Sequence, residues 1–314
     1  MPKKIVTIGE ILVEIMATTP GDGFREPIEL VGPYPSGAPA IFIDQVARLG
    51  QPCAIVACVG DDDFGRLNID RLQRDGVDVS GIAVDPVTVT GSAFVRYRSD
   101  GQRDFVFNIS HSANGHLAWS EIARSVVAGA DHLHVTGSSL GTPAIADAIV
   151  AAIGSIKQKG GTISFDPNVR GEMLNAPGLR PKLDWILAET DLFLPSDSEL
   201  MLFSDATTEH DAVSDLLARG VGAIVHKKGI LGARYIDRNE DISIPAFRVT
   251  EIDPTGAGDI FGATFVTGWL AQLPPAKNLR RAAAAGAIAV TRKGPMEGVS
   301  TIEEIEAFLA RAER

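Results

Sequence analysis

Short aliphatic runs alternate along this chain with longer stretches of helical periodicity, and that alternation sharply limits the folds open to it. Residues 4–8 (KIVTI), 54–59, 162–165, 192–194 and 223–226 read as strands, and the run ADHLHV leads into a loop at Val135. Residues 40–49, 65–74, 144–157 and 212–218, with a stretch near 183–188, read as helices. Short, wholly apolar strands separated by helices imply an α/β architecture, a mostly parallel sheet covered by helices on both faces. Right-handed crossovers then bring the strand C-termini to one edge, where a site is expected.

Two stretches break the rhythm. Residues 93–109 (AFVRYRSDGQRDFVFNI) alternate on either side of Asp100-Gly101, a hairpin signal, and residues 10–32 are extended and Pro-rich near their end. Neither fits a βα unit. They are expected to form a small β-sheet lid, from about 10–35 and 90–112, on a single domain spanning 1–314. Such lids close over substrates and exclude water.

A net charge of −11 over 314 residues disfavours a nucleic-acid partner. Cys53 and Cys58 lie five apart on a strand, hence on opposite faces, and read as small core hydrophobes rather than a disulfide or zinc site. The apolar run after Lys3 and Lys4 is interrupted by Gly9, Glu10 and Glu14, and the run at 282–290 is about half a bilayer span. A reduced, cytoplasmic protein without a membrane partner is expected.

The chemistry concentrates at residues 251–270, EIDPTGAGDIFGATFVTGWL. Pro254 stops a strand-like start, Thr255-Gly256-Ala257-Gly258 is a turn of small residues, and helical periodicity runs from Asp259, with Phe261, Phe265 and Trp269 on one face. Small residues before a helix let backbone N–H groups converge on an anion, aided by the helix dipole. Asp259 at the mouth of that turn suits a base that takes a proton from a hydroxyl; an Asp cap after a Gly turn is the alternative. Neither GxxxxGK[ST] nor a strand-following GxGxxG occurs, so a P-loop and a Rossmann dinucleotide site are unsupported.

The DPTGAGD run resembles the DTxGAGD signature of the PfkB (ribokinase-like) sugar kinases. Other motifs follow in the family's order. Residues 35–40 (PSGAPA) resemble its GGAPAN turn, with ARLG at 47–50. Val59-Gly60-Asp61-Asp62 with Phe64-Gly65 resembles VGxDxFG, and Asp75-Gly76-Val77-Asp78 its next loop. Asp166-Pro167-Asn168 with Arg170 resembles DxNxR, Ser196 to Glu199 resembles NxxE, and Lys227 to Gly232 resembles KxGxxG. The resemblance implies a ribokinase-like three-layer fold with a β-sheet lid, and ATP-dependent phosphorylation of a sugar. It implies Asp259 as general base, Gly256, Ala257 and Gly258 as the anion hole, and Glu199 as the residue holding Mg²⁺ through water. Lys227, Gly229, Gly232 and Ser196 match nucleotide-side positions; Glu14, Gly37, Asn108, Asn168 and Arg170 match substrate-side ones. ATP and Mg²⁺ are the implied cofactors, with a monovalent cation as an optional third, and a homodimer through the lid is the implied assembly.

Departures from the pattern cluster at the sugar end. Ser36 replaces a Gly, Ile41 stands at the usual Asn, Glu14 at a common Asp, and Ser196 at an Asn, as in sequences resembling 2-keto-3-deoxygluconate kinases. Ala283 and Thr264 also depart. Those sugar-acid kinases carry an aromatic–aromatic–Arg run on the lid strand, where this chain has Phe107-Asn108-Ile109. Asn108 and His111 suit hydroxyls, and Glu14 repels an acid. A neutral ketohexose of the fructose or tagatose type, phosphorylated at a primary hydroxyl, is therefore expected. The alternatives are 2-keto-3-deoxygluconate, a nucleoside, or a catalytically silent sugar-binding relative. His132 and His134 read as core histidines, and the segment around 302–309 as an amphipathic terminal helix.

Overall fold

Cys53–Gly60 is buried along its whole length, a burial that requires cover on both faces of the strand. The computed structural model describes residues 2–100, 103–109, 111–169 and 178–312 and shows that cover. Its strands are β1 (Ile5–Ile8), β2 (Leu12–Ala17), β3 (Leu30–Ser36), β4 (Cys53–Gly60), β5 (Asp78–Asp85), β6 (Gly91–Tyr97) and β7 (Arg103–Asn108). They continue as β8 (His132–Thr136), β9 (Thr162–Asp166), β10 (Leu192–Phe193), β11 (Ala223–Lys227), β12 (Ala233–Ile236) and β13 (Asp241–Ile244). The central sheet runs β13-β12-β11-β10-β9-β8-β1-β4-β5. It is parallel from β5 to β11, and β12 and β13 add an antiparallel edge.

Two aliphatic cores flank this sheet. On one face Ile149, Ile153, Leu183 and Leu216 pack against Leu133 and Ile163; on the other Phe42, Ile260, Phe265 and Leu279 pack against Ile55 and Val225. Cys58 belongs to the first core and Cys53 to the second, and both are free thiols. His132 and His134 are core residues. His132 bonds Thr162 and Ser164 hydroxyls at 2.8 Å, His134 bonds Ser164 at 2.8 Å, and Phe42 stacks on the His134 ring at 3.6 Å.

The lid is a separate four-stranded sheet, β3-β2-β6-β7, in which β2 pairs with β6 in parallel and β6 with β7 antiparallel. Residues 12–17 and 30–36 thus meet the 91–108 hairpin, whose turn at Gly101 lies outside the described residues. Helix Ala257–Leu270 begins two residues before Asp259, with left-handed Gly256 as its cap.

Candidate active site

Parallel strands deliver functional groups at their C-terminal ends, and here β1, β8, β9 and β11 do so along one edge. Glu10 follows β1, Ser138 follows β8, Asp166 ends β9 and Lys227 ends β11. Together with the lid and the turn before Ala257 they enclose a cleft of about 570 Å³. Glu14, Ser36, Gly37, Ile41, Asn168, Ser196, Glu199, Gly256, Gly258, Asp259, Arg103, Phe105, Phe107 and His111 also line it.

The turn before helix Ala257–Leu270 opens with geometry only glycine adopts easily. Gly256 sits at φ 79°, and a Cβ there would meet the Pro295 carbonyl at 2.5 Å. Gly258 is helical, and a Cβ there would make only an ordinary contact, with the Lys227 ammonium at 3.8 Å. Ala257 differs from its neighbours. Its N–H closes the turn on the Pro254 carbonyl at 3.3 Å, so Gly256 and Gly258 line the cleft and Ala257 does not.

Lys227 is the cation at the centre of this site, buried and paired with the Asp166 carboxylate. Burial works against its charge, but Asp166, Glu199 and Asp259 together hold its pKa above the usual lysine value. Asp259 has the opposite surroundings. Burial, then the Asp166 charge, push its pKa well above the carboxylate range; Lys227 opposes this, and Glu10 and Glu14 add to it.

Glu199 is held by backbone. The Val169 N–H donates to Oε1 at 2.9 Å and the Ser196 N–H to Oε2 at 2.7 Å. The residues beside those donors, Asn168 (φ 42°) and Asp197 (φ 39°), are left-handed without being glycine, a strain of order 1–3 kcal/mol each that clusters at functional sites. Burial, and secondarily the Asp166 charge, raise the Glu199 pKa to about 7.

Beside Gly37, the Ser36 hydroxyl donates to Glu14 Oε1 at 2.8 Å, so the residue that replaces glycine orients the carboxylate. Gly37, at φ 113°, lets the chain pass within 2.4 Å, measured to its absent Cβ, of the Glu10 carbonyl before helix Ala38–Arg48. Glu10 accepts from the hydroxyls of Ser138 (2.9 Å) and Ser139.

Three further expected residues lie outside the cleft lining. Asn108 shares β7 with Phe105 and Phe107, and strand alternation turns it to the face away from the cleft. Gly229 and Gly232 form the turn after Lys227, closed by Lys228 N–H to Gly232 carbonyl at 2.9 Å, outside the cleft wall. Arg170 lies outside the described residues. Arg103 is a lid cation in the cleft, with its guanidinium 3.3 Å from Thr255 Oγ1. Arg96 and Arg98 are tied instead to Glu26 and Asp22. Glu10 was legible only as a charge interrupting an apolar run. Its place directly after β1, at the sheet's functional edge, is the signal that could have found it.

A three-layer sheet, a β-sheet lid and a glycine turn facing a carboxylate of raised proton affinity define a phosphotransferase of ribokinase-like architecture. The pfkB family carbohydrate kinase model matches residues 2–302, and the chain belongs to that family: it is a carbohydrate kinase. It is similar to Fructokinase-2 of Oryza sativa subsp. japonica, 30% identical across 99% of this chain and 95% of that protein. A crystal structure with ATP and Mg²⁺ of an E. coli protein provisionally named Ribokinase II is 48% identical, with a TM-score of 0.94 over 98% of this chain and 99% of that one. Fructokinase from Vibrio cholerae O395, in a fructose, ADP and calcium ion bound form, is 26% identical, with a TM-score of 0.84 over 98% and 99%. Among the described residues no helix is long and apolar enough to cross a membrane.

Proposed function

We propose that this chain transfers the γ-phosphoryl group of ATP to a primary hydroxyl of a neutral ketohexose of the fructose or tagatose type. One observation carries the reading. Asp259 lines the same cleft as Gly256 and Gly258 and as Glu10, Glu14 and Gly37, an arrangement that supports a base between a phosphoryl donor and a hydroxyl acceptor. Its raised proton affinity lets the Asp259 carboxylate take the hydroxyl proton as the sugar oxygen attacks. The Gly256 and Gly258 N–H groups and the Lys227 ammonium then face the transferring group's oxygens. Glu10 and Glu14 accept from sugar hydroxyls, and the stacked rings of Phe105 and Phe107, 4.9 Å apart, cover the acceptor.

The residues fit Mg²⁺ held through water. Asp166 Oδ1 is buried without a hydrogen-bond partner, both Glu199 oxygens already accept backbone N–H groups, and no group of three or more metal-ligating side chains occurs among the described residues. Bound Mg²⁺ supplies charge neutralisation on the nucleotide phosphates. Ser196 and Glu199 would hold it at the nucleotide side.

The fructokinase relatives support the ketohexose reading. So do the carboxylates of Glu10 and Glu14 at the acceptor end, which repel a sugar acid. Arg103 favours a second reading, 2-keto-3-deoxygluconate, because a guanidinium can grip a carboxylate in a bidentate fork. Coupled ADP-release assays with D-fructose, D-tagatose, 2-keto-3-deoxygluconate and adenosine decide between them. Highest kcat/KM for a ketohexose is expected. A higher value for the sugar acid, abolished in Arg103→Ala, selects the second reading, and binding without turnover makes the chain a sensor.

The β7 edge and exposed Val106 on the outer lid face suit pairing with a second copy, so a homodimer through the lid is part of this proposal, testable by light scattering of Val106→Lys. Two buried free thiols suit a reducing cytoplasm.

A further inference from the structure

Tyr97 ends β6 of the lid, yet its hydroxyl belongs to the phosphate turn. It donates to Asp253 Oδ1 at 2.6 Å and lies 3.1 Å from Thr255 Oγ1. Asp253 is buried and gathers three segments. The Thr255 N–H donates to the same Oδ1 at 3.0 Å, and the Gly294 N–H donates to Oδ2 at 2.9 Å. Gly256, next in line, packs directly on the Pro295 carbonyl. One carboxylate therefore joins the lid, the turn that faces the phosphoryl group, and the 294–295 segment beneath it. The same hairpin places Ala93, Phe105 and Phe107 over the acceptor end of the cleft. Burial and the neighbouring Asp253 push the Tyr97 pKa up to about 12, so the hydroxyl keeps its proton and remains a donor near neutral pH.

We propose that Tyr97 is a positioning residue that couples acceptor binding to the phosphate turn. A sugar under the lid holds the Tyr97 hydroxyl on Asp253 and Thr255, where it lies in this structure, and this contact orders the turn whose Gly256 and Gly258 N–H groups receive the phosphoryl group. The inference rests on the kinase reading. It also gives the lid a second task beyond excluding water, since ATP meets a fully ordered turn only when an acceptor is in place.

Tyr97→Phe removes one oxygen and keeps the ring, so the fold is retained. Hydrogen exchange is compared with Mg²⁺ and a non-hydrolysable ATP analogue, with and without D-fructose or D-tagatose, whichever turns over faster. In the wild type the sugar slows exchange in both 91–97 and 253–258. In Tyr97→Phe the lid still slows but the turn does not. Loss of a hydrogen bond to a charged group predicts a kcat lower by ~10–100-fold, with the sugar KM changed far less. Equal sugar protection of 253–258 in the variant, or an unchanged kcat, overturns the coupling alone. A wild type that phosphorylates no sugar overturns the kinase reading and the coupling with it.

Discussion

The Lys227 ammonium and the Asp166 carboxylate form a buried ion pair beside the phosphate turn, the Nζ lying 3.8 Å from where a Gly258 Cβ would stand. Burying such a pair gains little stability, because desolvation offsets most of the attraction. Its place beside the Gly256–Gly258 turn fits the proposed role of the lysine in facing the transferring phosphoryl group.

Lys227→Met leaves the Asp166 charge buried alone and should cost about 3–5 kcal/mol. Adding Asp166→Asn should recover much of that stability in urea denaturation while kcat stays low. A double variant with restored turnover would reduce the lysine to a structural role.

Asp259→Asn should lower kcat by ~10²–10⁴-fold, the usual contribution of a general base, with ATP affinity, read by calorimetry, nearly unchanged. The base must be deprotonated to act, and its pKa is raised. The acid limb of kcat/KM should therefore lie well above the ordinary carboxylate range, activity falling as pH falls through it. A limb near pH ~4, the free-carboxylate value, would contradict the assignment.

The two glycines should separate. Gly256→Ala forces a side chain into a left-handed backbone and onto the Pro295 carbonyl, so both melting temperature and kcat should drop. Gly258→Ala meets only the Lys227 Nζ, at 3.8 Å, an ordinary contact. Its melting temperature should hold while kcat falls, because the methyl group occupies the phosphoryl approach. Full activity in Gly258→Ala would mean the turn only caps the helix.

Burial lowers the His132 pKa to about 3, against ~6.5 for a free histidine. Between those values the unfolded chain binds a proton that the folded chain refuses. The histidine's contribution is thus intact above ~6.5 and is lost progressively as pH falls toward 3. Urea unfolding from pH 7.5 to 5 should show a shallower loss of stability in His132→Gln than in wild type; identical slopes would place the titration elsewhere.

The parallel sheet was legible because strands such as Cys53–Gly60 are apolar throughout, and the lid because alternation at 93–109 signals a hairpin. Strand β5 escaped notice, since DVSGIAVD mixes polar residues and glycine at a half-exposed sheet edge. Asn108 was misplaced for a related reason. Sequence spacing puts it on the right strand, but only the pairing of Ser92 with Asn108 and the lid's orientation decide which face meets the cleft.

Local chemistry settles within a few residues, and the sequence by itself therefore determined the glycine turn, the carboxylate after it and the alternation that makes the sheet. Charge environment is a property of distant segments brought together. Only the tertiary structure set Lys227 on Asp166, gathered Glu10 and Glu14 toward Asp259, and carried Tyr97 across from the lid to Asp253. Those contacts join residues 61, about 245 and 156 positions apart. Their strength depends on burial that no local pattern encodes.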